Sequence, residues 1–267
     1  MVVLAPASAK EKKSAPKVAA LKKVEPQADL RGVSELMGPF RWGLSPYEVL
    51  GILGKQIDKR YSLQVRSTTD VYLQDGLRKK AEEEKERIKA SFIKFDGRKT
   101  GWDVSIIDKE LGHKNDESML VYWENDVATK KDQRRFFFFV DDKLWKMFIA
   151  FNSDLFKGKT YPDFQQLMEK RYGKAAPAPS GDVGFIYWRA PGAYLRAIDL
   201  FQFYGNFCVA ISDDAVEEMI YARREQRNPK VEVRNTLIES ITENSDSTKP
   251  SLDDPNSNIV DRLTGGK

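Results

Sequence analysis

The stretch Arg135-Phe-Phe-Phe-Phe-Val-Asp-Asp-Lys-Leu-Trp-Lys-Met-Phe-Ile-Ala-Phe151 decides the fold of this chain. Two dense aromatic and β-branched runs flank Asp141-Asp142-Lys143, a polar break that reads as a hairpin turn. Successive strand side chains point to opposite faces, so of the four phenylalanines from Phe136 to Phe139 at least half must be buried. The run is therefore read as a core strand with Arg134 and Arg135 snorkelling at its end, rather than as a basic and aromatic nucleic-acid surface. Such strands need a covering layer, and the flanking sequence supplies helices.

Upstream, Leu44-Ser45-Pro46-Tyr47-Glu48 is a helix start, with Ser45 as cap, Pro46 in the first turn and Glu48 completing a capping box. Val49, Leu50, Ile52 and Leu53 supply the buried face, and Gly54 marks an end or interruption. Leu73, Leu77, Ala81, Ile88 and Phe92 fall on one stripe, which predicts a second helix from about Asp70 to Phe92. Its charge run Arg78–Arg87 reads as a solvated face laced with i,i+4 pairs. Met119–Trp123, Arg135–Val140 and Leu144–Phe151 read as strands. Thr160 and Asp163 cap a third helix bearing Phe164, Leu167, Met168 and Tyr172, which Gly173 stops. After a connector at 174–182, strands are expected at Gly184–Trp188, Ala193–Phe203 and Asn206–Ile211, with tight turns at Ala190-Pro-Gly and Tyr204-Gly-Asn. Asp214 to Glu217 open a last helix that runs to about Arg227. Strand groups joined by tight turns indicate antiparallel sheet, giving an α+β fold with helices packed on one face. A helix-plus-hairpin unit occurs twice, at 44–151 and 160–211, without a residue-level repeat.

The net charge of +4 is unevenly spread. Residues 1–32 carry seven basic side chains against three acidic ones, and 240–267 carry three against five. The three regions are thus a disordered basic Ala/Lys/Pro tail (1–32), an α+β body (33–239) and a disordered acidic tail (240–267). No apolar run approaches the roughly 18 to 20 residues that span a bilayer. Met1-Val-Val-Leu-Ala-Pro-Ala-Ser-Ala9 ends in a small-x-small pattern resembling the last part of a secretory signal and its cleavage site. If the true start lies upstream, the protein is periplasmic; otherwise the segment is an ordinary tail and the protein is cytoplasmic.

No motif in the chain carries chemistry, so no catalytic, cofactor or metal residue is assigned. Cys208 is the single cysteine and lies in an apolar strand, which makes it a buried structural thiol. His113, the single histidine, sits in a polar loop and reads as a surface residue. One Cys and one His cannot build a zinc site. Gly51-Ile-Leu-Gly54-Lys55 lacks the glycine and the Ser/Thr of a phosphate loop, and the calcium-loop echo at Asp254–Asn258 lacks its glycine and glutamate. The acid pairs Asp141/Asp142, Asp213/Asp214, Glu217/Glu218 and Asp253/Asp254 read as turn, cap, helix or tail residues, since neighbours on a strand or helix diverge.

Gly43-Leu-Ser-Pro-Tyr-Glu-Val-Leu-Gly-Ile-Leu-Gly54 and Phe137-Phe-Phe-Val-Asp-Asp-Lys-Leu144 resemble the opening helix and a later hairpin of small envelope domains of the SmpA/OmlA type. That resemblance implies a non-enzymatic interaction domain in a bacterial envelope and transfers no functional residue. The leading expectation is a scaffold or interaction protein with an unidentified protein partner. An alternative is a cytoplasmic polyanion binder that sets Lys12, Lys13, Lys22 and Lys23 against phosphates. A third is an enzyme whose acids and arginines converge only on folding, which a deep cleft with perturbed acidities would signal.

Overall fold

The structure, a computed structural model, describes residues 27–98, 100–102, 105–112, 117–126, 131–178 and 184–227. The first half contains α1 (Leu30–Met37), α2 (Pro46–Arg66), α3 (Val71–Ala90), β1 (Ile93–Lys94), β2 (Glu117–Asp126), β3 (Lys131–Val140) and β4 (Lys143–Phe151). The second contains α4 (Tyr161–Tyr172), β5 (Ala176–Pro177), β6 (Phe185–Ala190), β7 (Ala193–Leu200), α5 (Phe201–Tyr204), β8 (Asn206–Ser212) and α6 (Asp214–Arg227). The described residues up to Arg224 belong to one compact unit, and those from Glu225 to Arg227, the end of α6, are assigned to a second.

The eight strands form one antiparallel sheet in the order β1-β2-β3-β4-β8-β7-β6-β5. Each helix-plus-hairpin unit thus contributes a four-strand meander, and the two meanders join through their last strands. Lys146 pairs with Ser212, Phe148 with Ala210 and Ala150 with Cys208 across that seam. The α+β reading holds, and the two halves share one continuous sheet.

The turn between β3 and β4 is the one the polar break predicts. Asp141 and Asp142 both have positive φ, at 50° and 56°, the backbone a two-residue hairpin needs to match strand twist. Ser45 and Glu48 form their reciprocal capping box, Thr160 and Asp163 form another, and Asp70 caps α3. Helix α2 continues past Gly54 to Arg66, because Val49, Leu53 and Ile57 keep one buried face running through the glycine. The strand expected to reach Phe203 ends at Leu200, where α5 makes a helical turn stopped by Gly205 in the left-handed region (φ 67°).

Residues 27–32, expected as part of a basic tail, belong to the folded body. Asp29 caps α1, Ala28 is buried, and the Ala28 N–H donates to Arg189 O. This start has no apolar periodicity before it and is set by contacts far along the chain. Gly32 lies against α4 so closely that a Cβ there would sit 2.6 Å from Arg171 O. The basic residues Lys12, Lys13, Lys22 and Lys23, His113, and everything from Asn228 lie outside the described residues.

All four phenylalanines of β3 are fully buried, two on each side. Phe137 and Phe139 join a core with Leu36, Val49, Leu53 and Phe164, beneath the helices α1, α2 and α4. Phe136 and Phe138 join a second core with Phe95, Ile107 and Ile220, beneath the 95–111 segment and α6. Helices α1 to α4 share the first face; α6 adds cover on the second. Cys208 is buried in the second core, and burial pushes its thiol pKa well up. Native protein is therefore expected to leave a chromogenic disulfide reagent unreacted, with one equivalent titrating only after denaturation. Rapid reaction of the native thiol would contradict that burial.

Candidate functional site

The second face is not uniformly apolar. In β4 the register slips between Phe138 and Phe139 of its partner, so Trp145 is an extra residue. Leu144 packs in the first core, Trp145 in the second, and Lys146 lies with its ammonium 4.5 Å from the Trp145 ring and 4.6 Å from that of Phe138. A bulge places consecutive side chains on one face. It delivers Lys146, fully buried, onto the second face instead of the helix-covered one.

Around Lys146 the fold gathers five more charges. Glu110, from the short 3-10 turn Asp108–Glu110, sits with its Oε2 3.0 Å from Lys146 Nζ and 2.9 Å from Arg196 Nη2 of β7. Lys146 Nζ also donates to the Glu110 backbone carbonyl. From α6, Glu217 and Arg224 project two turns apart onto the same side. Arg224 clasps Glu117 of β2 with two hydrogen bonds, at 3.0 and 2.6 Å, and donates to Glu110 O at 3.2 Å. Glu217 Oε2 accepts from Ser212 Oγ at 2.8 Å. The network is balanced, three carboxylates against three cations, as burial at this depth requires.

The electrostatics divide Glu110 and Glu217, the two acids of this network that line the cleft. Burial opposes ionisation of Glu110, but Arg196 and Lys146 overcome it and hold its pKa down to about 2. Burial likewise opposes the Arg196 charge and is outweighed by Glu110, so that pKa is raised. For Glu217 burial wins: its pKa is raised, against the pull of Arg196 and the Ser212 hydroxyl. Glu217 Oε1 makes no hydrogen bond, standing 3.6 Å from Arg196 Nη2.

These opposite shifts fix the sign of the acid response. The Glu110 contribution is complete above its ordinary value of 4.5 and is lost as pH falls toward about 2, on the order of 3 kcal/mol in all. The burial penalty on Glu217 is instead relieved as pH falls through its raised pKa. Urea unfolding from neutral to acid pH should therefore show a shallow gain from Glu217 before the loss from Glu110, and Glu217→Gln should flatten the gain. A wild-type profile unchanged by that substitution would contradict the assignment.

Arg196 and Glu217 form part of the floor of a cleft of about 890 Å³ between the Ser105–Glu110 segment, β6–β7 and the start of α6. Phe185, Tyr194 and Tyr221 line it, with Phe203 and Tyr204 at α5. Arg189 pairs with Asp214 and stacks 4.4 Å over the Tyr194 ring. A smaller hollow of about 430 Å³, beside Trp123 and Arg134, has no buried charged side chain in its lining.

The acid pairs behave separately, as adjacency implies. Asp141/Asp142 make the turn. Asp213 caps α6 while Asp214 pairs with Arg189, and Glu217 is buried while Glu218 is exposed. Gly51 and Gly54 are both inside α2, and Asp253/Asp254 lie outside the described residues. Sequence reading missed Glu110, Glu117, Lys146, Arg196 and Arg224. The available signal was a charged residue interrupting an apolar strand, as Lys146 and Arg196 do. Among the described residues, no three His, Cys, Asp or Glu side chains gather to hold a metal ion, and no helix is long and apolar enough to cross a membrane. Comparisons with protein-family models, curated proteins and solved structures return no match.

Proposed function

We propose that this chain is a non-catalytic interaction protein that holds part of its partner in the cleft over β6 and β7. The observation that carries the reading is the division of labour in that cleft. Its floor charges are mutually neutralised and locked in place, whereas the aromatic side chains at its mouth are open, Phe203 being 80% exposed. An apolar-walled concavity with a few fixed polar groups is the usual form of a binding site. Glu110, held ionised far below neutrality, is a poor proton donor or acceptor for catalysis near pH 7.

Placement in a bacterial envelope belongs to the same proposal. It rests on the Ala7-Ser-Ala9 pattern and on the resemblance to SmpA/OmlA-type domains. The two segments bearing that resemblance meet in space: the Gly43 N–H donates to Leu144 O, and the Leu144 N–H to Leu44 O. The polyanion alternative gains nothing from the cleft, whose described ionisable lining is predominantly acidic.

One observation favours the catalytic alternative. Glu217 is a buried carboxyl with a raised pKa and one oxygen free of hydrogen bonds, a state suited to proton transfer. The experiment is protein-observed NMR with three probes of like shape, benzylamine, benzyl alcohol and phenylacetate. Shifts confined to the tyrosines of the cleft support a binding site there. Silence of the cleft toward all three overturns it, and turnover of a bound probe that Glu217→Gln abolishes moves the protein to the enzymes.

A further inference from the structure

We infer that the cleft selects an organic cation, an ammonium or guanidinium group carried on an apolar body, an inference that rests on the binding reading above. Its described lining contains six carboxylates, from Asp108, Glu110, Asp199, Asp214, Glu217 and Glu218, against three cations, Lys109, Arg189 and Arg196. Two of those cations are committed: Arg189 to Asp214, and Arg196 to Glu110 and Glu217. Counting Lys146, Arg224 and Glu117 beneath the floor leaves the balance negative. A concave site of one dominant sign between low-dielectric walls concentrates ligands of the other.

The second observation is independent of that balance. Glu217 is more than nine-tenths buried and lines the cleft, and its Oε1 accepts no hydrogen bond, the Arg196 Nη2 of its ion pair standing 3.6 Å away. A buried acceptor without a donor is costly, and a ligand N–H that reaches it recovers the loss. A charged N–H does so most strongly. Phe203 and Tyr204 supply ring faces at the mouth, where an apolar body or a cation can rest. Arg196 Nε is also without an acceptor, so an anionic probe is the necessary control.

The test titrates the full chain with benzylamine, benzyl alcohol and phenylacetate at neutral pH, following the cleft tyrosines by NMR. Benzylammonium should bind about tenfold or more tightly than benzyl alcohol, with phenylacetate weakest, as expected of a charge-assisted bond in a negative cleft. Raising salt should narrow the gap. Glu217→Gln should remove the preference for the cation, and Phe203→Ala, at an exposed position with little bearing on folding, should weaken all three. A lysine-containing tripeptide amide forms a further arm. Tighter binding of the peptide than of benzylamine places the cation on a protein partner, and the reverse places it on a small metabolite; either supports the inference. Phenylacetate binding as well as benzylamine overturns cation selection but leaves the binding site standing. Failure of every probe in the cleft overturns both.

Discussion

Replacing Glu110 with alanine should lower stability by about 3–5 kcal/mol, enough to unfold a marginal domain, because it leaves Lys146 buried beside Arg196 and Arg224 without its counter-charge. Glu110→Gln keeps the shape and tests the charge alone, and should be nearly as damaging. Lys146→Met in the Glu110→Gln background should recover much of the loss, since an apolar side chain of similar volume needs no ion partner. Chemical denaturation with matched slopes is the measurement. A loss below about 1 kcal/mol for Glu110→Ala would mean that water or rearrangement solvates Lys146, and the buried network would have to be abandoned.

Phe137→Ala and Phe138→Ala should each cost about 3–5 kcal/mol, and by similar amounts, although the two side chains point in opposite directions. Phe137 packs 4.8 Å from the Phe40 ring beneath the helices, and Phe138 faces Lys146 on the other side. A sheet with one wet face would tolerate one of the two changes. Equal, large losses are the signature of a central layer dry on both sides; a difference greater than about 2 kcal/mol would indicate that one cover is loose.

The same strand shows where sequence reading succeeds and stops. Two phenylalanine runs around Asp141-Asp142 imply a hairpin because turn geometry is local and the alternation of side chains is strict. Ser45 and Thr160 imply helix starts for the same reason: each cap pairs with a residue three positions on. Lys146 is the fourth residue after Asp142 of the hairpin turn, yet its destination could not be read. Strict alternation places it beneath the helices with Leu144, and the bulge at Trp145, stabilised by partners on β3 and β8, sends it to the other face.

The cleft is further removed from sequence. Its charged network draws on a 3-10 turn, the strands β2, β4 and β7, and the helix α6, with partners as far as 114 positions apart. No spacing rule links Glu110 to Arg196 or Arg224, so none of them stood out. By itself the sequence determined the starts of α2, α3, α4 and α6, the hairpin and the α+β class, which depend on nearest neighbours and on the period of apolar residues. The seam between β4 and β8, the turning of Lys146 and the gathering of six charges, four of them buried, were decided only by tertiary structure. They arise from non-local pairing, in which each charge is tolerated solely because distant segments bring its counterpart.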